Sequence, residues 1–284
     1  MQIAMTIAQI REHVGQARRA GKTVGFVPTM GALHIGHASL IDAAAKRCDY
    51  VVVSLFVNPT QFGPGEDFER YPRPFERDIR LCEEHGAHTI FAPSAAEMYP
   101  RENLTWVTVE KLTEPLCGRS RPGHFRGVTT VCTKLFNIVG ADVAFFGQKD
   151  AQQATVIRRM VADLNLPLEI VVCPTIREPD GLAVSSRNQY LSPQERKDAP
   201  VIFRALSRCT ELMATGEREV ARLTEAMHEV LRQVPALRVE YVNIVDAESL
   251  RELDRVEGRV LVAVAGRLGS TRLIDNIVVD TADR

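Results

Sequence analysis

At about 150 residues per domain, a chain of 284 residues has room for two domains. Its 45% apolar and 25% charged residues are those of a globular, core-forming protein. Lysine and arginine (35) balance aspartate and glutamate (36) to a net charge of −1, which argues against a protein that coats nucleic acid or an anionic membrane. The six cysteines, at 48, 82, 117, 132, 173 and 209, include no C-x-x-C pair, so neither a zinc module nor a disulfide framework is expected. The first twenty residues hold no apolar stretch of signal-peptide type, and the run 50–57 is far too short to span a membrane. The expected location is the cytoplasm.

Thr6 and Gln9 form a capping-box pattern, and Ile7, Ile10, Val14 and Ala17 share one face of a helix that Gly21 ends. Thr23–Val27 reads as a short buried strand, followed by a loop and a helix over Ser39–Lys46. Tyr50–Val57 is a continuous apolar run rich in β-branched residues, as in a central strand of a parallel sheet. A helix from Pro74 to Gly86, strands at Thr89–Phe91 and Thr105–Val109, and a helix over Gly127–Val139 follow. Next come a strand at Val143–Phe146, a helix at Ala151–Leu164 and a strand at Leu168–Val172. This alternation predicts a doubly wound parallel-sheet, Rossmann-like α/β domain over residues 1–175.

The pattern changes at Thr175–Asp180, where Pro174 and Pro179-Asp180-Gly181 punctuate the chain. Helices over 193–215 and 217–233 precede strands at Val239–Val245, Val260–Val264 and Arg272–Val279. Residues 176–284 therefore read as a smaller α+β domain, expected to act as a lid.

The most informative stretch is Val27–His37. Gly31 and Gly36 have the spacing of a P-loop, but His37 and Ala38 stand where its Lys and Ser or Thr belong. The G-x-G-x-x-G of a dinucleotide site is absent too. What remains is His34-Ile35-Gly36-His37 at a helix entrance. A glycine there lets backbone approach a base or ribose, and the helix N-terminus offers N–H groups to phosphate.

His34-Ile35-Gly36-His37 resembles the H-x-G-H signature of nucleotidyltransferases and class I aminoacyl-tRNA synthetases. The runs 56–63 (FVNPTQFG), 121–128 (RPGHFRGV), 147–153 (GQKDAQQ), 180–188 (DGLAVSSRN) and 271–276 (TRLIDN) narrow the resemblance to the pantothenate synthetase family, in the same order along residues 1–280. It implies that ATP and pantoate give pantoyl adenylate and pyrophosphate, and that β-alanine then displaces AMP. ATP contacts are implied at Met30, Gly31, Ala32, Leu33, His34, Ile35, Gly36, His37, Gly147, Gln148, Lys149, Asp150, Ile176, Val184, Ser185, Ser186 and Arg187. His34, His37, Lys149, Ser185, Ser186 and Arg187 are the implied catalytic set.

Lys149 would supply the phosphate-binding cation absent from the first loop. Ser185-Ser186-Arg187 would stabilise charge on departing pyrophosphate. Gln61 and Gln153 carry over as pantoate contacts, Gln61 also for β-alanine, with Asn58, Tyr71 and Arg121 as weaker candidates. Mg²⁺ is expected with ATP, held by Asp78 or by the substrate alone. His37 and His34 are expected to be neutral in the free enzyme and protonated with ATP. Two departures from the family stand out: Val184 where Met is usual, and Cys117 where Glu is frequent. The resemblance further implies a homodimer acting on small molecules, without nucleic acid or membrane. Another nucleotidyltransferase of the superfamily, or a non-enzymatic nucleotide-binding module, remain alternatives; pantoate-dependent pyrophosphate exchange separates them.

Overall fold

The chain folds into two compact units, and the computed structural model describes residues 1–281 of it. The first unit comprises Met1–Glu114, Gly118–Gly147 and Val156–Pro174. A short strand β1 (Gln2–Ala4) leads to α1 (Ile7–Arg19), where Thr6 and Gln9 cap each other's backbone N–H groups and Ile10, Val14 and Ala17 are buried. Then follow β2 (Val24–Thr29), α2 (Ile35–Arg47), β3 (Tyr50–Leu55), α3 (Phe75–Glu84) and β4 (Thr89–Phe91). The one-turn helices α4 (Ala95–Met98) and α5 (Cys117–Ser120) precede α6 (His124–Val139), β5 (Val143–Gly147), α7 (Ala151–Asp163) and β6 (Glu169–Cys173).

The six strands pair in parallel in the order β1-β4-β3-β2-β5-β6. Val51 and Val53 of β3 are buried on one face with Val27, Ile41, Ile90 and Phe145, and Val52 is fully buried on the other, so the apolar run at 50–57 behaves as a strand covered on both faces. The strand order reverses between β2 and β5, and open parallel sheets bind ligands at the carboxyl ends of strands at such a point. β2 runs directly into the stretch that ends at His37.

One predicted strand is absent. Residues 105–109 form no ladder, although a strand is expected there from the sequence. The Val107 N–H donates to Thr130 Oγ1 (3.1 Å) and its carbonyl accepts from Thr129 Oγ1 (2.6 Å), so hydroxyls of α6 take the place of a neighbouring strand.

The second unit comprises the chain from Thr175 onward together with Pro115–Cys117 and Gln148–Thr155. Its helices are α8 (Pro193–Asp198), α9 (Val201–Ala214) and α10 (Val220–Leu231). Its strands β7 (Leu237–Asp246), β8 (Arg259–Leu268) and β9 (Thr271–Asp280) form an antiparallel sheet in that order. The single helix predicted over 193–215 is two, because Pro200 has no N–H to donate and starts α9 afresh. Ile202, Leu206, Met213, Leu223 and Met227 pack on Val260, Val262, Val264 and Leu273. Burying each such side chain is worth about 1.5–3 kcal/mol. Among the described residues no helix is long and apolar enough to cross a membrane.

Candidate active site

The His34–His37 segment starts α2 four residues before the predicted start at Ser39, because His34 is itself the N-cap. Its extended backbone turns the ring over the first turn, where Nδ1 accepts the Gly36 N–H at 3.1 Å. Nδ1 of His37 accepts the His34 N–H at 3.3 Å, completing a capping box built from two imidazoles. Their ring centroids are 4.1 Å apart. Gly36 is required by contact: a Cβ there would lie 2.9 Å from His34 Cε1 and 3.0 Å from Nδ1.

The turn before the cap is held from the side. Gly31 and Ala32 both adopt positive φ, +81° and +52°. Asp78 of α3, 2% exposed, accepts the Ala32 N–H on Oδ2 and the Leu33 N–H on Oδ1, each at 2.8 Å. Burial pushes its carboxyl above the usual range, against the pull of the two N–H bonds. Asp78, weighed above as a magnesium ligand, thus has both oxygens committed to backbone. Ile35, by contrast, is well exposed.

A second group of expected residues gathers after β3. Gln61 lies in the 3-10 turn Pro59–Gln61 with Nε2 2.8 Å from Met30 Sδ and Oε1 accepting from Asn58 Nδ2 at 3.2 Å. Asn58 is almost wholly buried; Nδ2 also donates to the Gly127 carbonyl (3.2 Å), and Oδ1 accepts from Thr60 Oγ1 (3.0 Å) and Tyr99 Oη (2.9 Å). Its amide is used to set the turn that presents Gln61. Gly127 makes this possible, since a Cβ there would fall 2.2 Å from the Thr60 carbonyl oxygen.

Arg121 grips Glu66 with two bonds of 2.7 and 2.6 Å and reaches His124 Nε2 at 3.0 Å. His124 Nδ1 in turn meets the Gln61 carbonyl at 2.7 Å. Burial pushes the Glu66 carboxyl up, but Arg121 and the Gly63 N–H outweigh it and hold it below the usual range. Tyr71 is buried, edge-on to Phe62. Sequence reasoning missed Glu66, His124 and Tyr99 as members of this group; only the 121–128 motif pointed near it.

The remaining expected residues lie in the second unit, except Gly147, the last residue of its segment in the first. Gly147 ends β5, and Gln148–Asp150 form a 3-10 turn in which Lys149 Nζ is 4.0 Å from Asp150 Oδ2. Asn276 on β9, 4% exposed, donates from Nδ2 to the carbonyls of Gln148 (3.0 Å) and Lys149 (2.9 Å) and accepts from Gln148 Nε2 (2.9 Å). Ile176 and Val184 face each other across a tight hairpin, the Val184 N–H donating to the Ile176 carbonyl at 3.0 Å. The hairpin delivers Ser185, whose Oγ accepts the Arg187 N–H (3.3 Å) and caps the 3-10 turn Ser186–Tyr190. Gln153 lies in the first turn of α7, half-buried. Its neighbour Gln152 is tied to the Cys117 N–H (2.9 Å) and the Pro115 carbonyl (2.7 Å).

Cys117 meets Tyr241 Oη at 3.3 Å and Arg272 Nη2 at 3.5 Å, and Arg272 also bonds Glu240 at 2.8 Å. The other five cysteines are buried. Burial pushes the thiols of Cys82, Cys132 and Cys209 up to about 12. Among the described residues no group of three or more His, Cys, Asp or Glu side chains is arranged to hold a metal ion.

A sequence profile described as Pantoate-beta-alanine ligase matches residues 2–278. Pantothenate synthetase of Moorella thermoacetica is 55% identical over 283 residues, covering 100% of both chains, and that of Heliobacterium modesticaldum is 57% identical, covering 96% of this chain and 99% of its own. The crystal structure of pantothenate synthetase from Thermus thermophilus superposes with a TM-score of 0.93 at 48% identity, covering 98% of this chain and 99% of that one. A pantoate-beta-alanine ligase from Francisella tularensis, complexed with beta-gamma ATP and beta-alanine, superposes at 0.76 with 33% identity over 98% of this chain and 97% of that one. On full-length sequence and on fold alike, the chain belongs to the pantoate–β-alanine ligase family.

Proposed function

We propose that this ligase joins pantoate to β-alanine in two steps, through a pantoyl adenylate. A carboxylate oxygen of pantoate attacks the α-phosphorus of ATP, and the bond from that phosphorus to the bridging oxygen breaks to release pyrophosphate. The β-alanine amine, having lost a proton, then attacks the acyl carbon. The bond to the adenylate oxygen breaks and the nitrogen releases its extra proton to water, leaving pantothenate and AMP.

The observation that carries this reading is the double imidazole cap of α2. Both Nδ1 atoms accept backbone N–H groups, so each ring holds its proton on Nε2. Two neutral donors beside the positive end of a helix dipole suit an anionic phosphate. Met30–Leu33 and Ile35–Gly36 are the proposed backbone cradle for the nucleotide. Gln61 and Gln153 are proposed for pantoate, Gln61 also for β-alanine, with Asn58 and Arg121 acting on Gln61 from behind.

Lys149 with Gly147, Gln148 and Asp150, and Ser185, Ser186 and Arg187 with Ile176 and Val184, are proposed for ATP. The cations and hydroxyls among them would stabilise charge gathering on pyrophosphate. Mg²⁺ is proposed to arrive with the triphosphate as part of the substrate. The working form is proposed to be a cytoplasmic homodimer.

The test is isotope exchange between labelled pyrophosphate and ATP with pantoate present and β-alanine omitted. Pantoate-dependent return of label into ATP is the expected result. Pantothenate formation without any such exchange would refute the adenylate.

A further inference from the structure

The 271–276 motif resembles the family but has no assigned role, and its last two residues are buried polar groups on β9, 5% and 4% exposed. Strand alternation turns their side chains to opposite faces. Leu273, Asp275 and Ile277 share the face packed by α9 and α10, while Asn276 shares the other with Arg272, beside Tyr241 and Cys117.

Each residue holds a different loop. Asp275 takes Arg177 through Nη1 (2.5 Å) and Nη2 (3.0 Å). Arg177 also donates to the Gly181 carbonyl at 3.0 Å and lies 4.0 Å from the centroid of the Phe203 ring. It therefore fixes the hairpin whose far end is Ser185. Asn276 uses all of its amide on Gln148 and Lys149: two bonds donated to their consecutive backbone carbonyls and one accepted from the Gln148 side chain through Nε2. An amide is suited to this, because a carboxylate could not donate and a hydroxyl has only one proton to give to two carbonyls.

We propose that Asn276 and Asp275 are positioning residues for the nucleotide: Asn276 sets the backbone from which Lys149 extends, and Asp275, through Arg177, sets the hairpin that carries Ser185–Arg187. This rests on the reading of Lys149 and Ser185–Arg187 as ATP-binding groups. The middle of one strand thereby puts two loops far apart in sequence on a common frame. The requirement is strict, since a misplacement of about 1 Å at a reacting group can cost on the order of a hundredfold in rate.

The test uses the full-length enzyme and Asn276→Asp, which keeps the shape and the acceptor for Gln148 but turns a carboxylate oxygen toward two carbonyls. Asn276→Ala is the second variant, and Leu273→Ala is the control for lost stability on the same strand. The expected result for both Asn276 variants is at least a tenfold rise in KM for ATP, with KM for β-alanine unchanged. Tryptic cleavage after Lys149 should also quicken. Leu273→Ala should lower Tm while leaving KM for ATP unchanged. Adding Asn276→Ala to Lys149→Ala should cost nothing further.

Wild-type KM for ATP and wild-type cleavage in both Asn276 variants, or full additivity with Lys149→Ala, would overturn the proposal. A Lys149→Ala enzyme with normal KM for ATP would instead overturn the underlying reading. The cleavage rate still reports whether Asn276 holds the loop.

Discussion

The backbone N–H of His34 points at Nδ1 of His37, 3.3 Å away, so the second histidine of the motif is tied to the first through its main chain. A nitrogen that accepts carries no proton. The sequence predicts imidazolium once ATP is bound, but protonating either Nδ1 would set N–H against N–H at a helix end whose dipole already disfavours a cation. Pantoate-dependent exchange should therefore fall toward acid pH, where either ring would have to take a second proton. His37→Gln should lose about a hundredfold in rate, as when a charge-stabilising donor is removed. A rate that climbs toward acid pH would sink the neutral-donor role, as would an unimpaired His37→Gln enzyme.

Gly36→Ala separates the cap from the helix. Alanine favours an α-helix over glycine by about 1 kcal/mol, which offsets the roughly 1 kcal/mol of a weakened cap, so stability should hold. The added methyl, at 2.9 Å from His34 Cε1, must displace the ring. KM for ATP should rise about tenfold with Tm unchanged, read by steady-state kinetics beside a melting curve. An ATP affinity equal to wild type means the ring position is immaterial.

Much of the fold could be read in advance because its signals are local. The apolar run at 50–57 and the Thr6–Gln9 box need no distant partner, and the strands and helices they announced are present. The misreadings come where a partner is remote. Residues 105–109 read as a strand, yet the backbone of Val107 is satisfied by Thr129 and Thr130 of α6. Pro200 was visible, but the helical periodicity around it masked the break. At the site, His34, Gly36 and His37 explain one another within four residues. The holding of Ala32 by Asp78, of Arg121 by Glu66 and of Gln148 by Asn276 spans 46, 55 and 128 positions, respectively. No pattern in the sequence links such pairs.

Gly127→Ala is expected to be damaging despite its helical position. A Cβ would fall 2.2 Å from the Thr60 carbonyl oxygen and 2.7 Å from Gln61 Cα, and both are backbone. Overpacking of this kind costs about 1–3 kcal/mol, more than the helix propensity gained. Denaturant melts should show the loss, and KM for pantoate should rise because the Gln61 turn is displaced. A stabilised variant would contradict this.

The Glu66–Arg121 pair makes stability depend on acid pH in a definite direction. Glu66 is held below its ordinary value in the folded chain. The pair's contribution is therefore complete above the unfolded value of about 4.3 and is lost as pH falls through the lower folded value. Glu66→Gln should cost about 1.5–3 kcal/mol at pH 7, the worth of hydrogen bonds to a charged group. Its Tm should converge with that of the wild type once pH has fallen below that folded value. A Tm gap that stays constant over that interval would show that the pair contributes nothing.

Five thiols sealed in the interior and one partly open to solvent amount to a native chemical handle. Brief treatment of the folded enzyme with iodoacetamide should add a single adduct, on Cys117, while the denatured chain should take up six. Two adducts forming at equal rates in the native state would contradict the burial pattern. A fluorophore attached there would touch the unit that carries Lys149 and Arg187. Its emission could report on ATP in real time, with no cysteine removed or introduced.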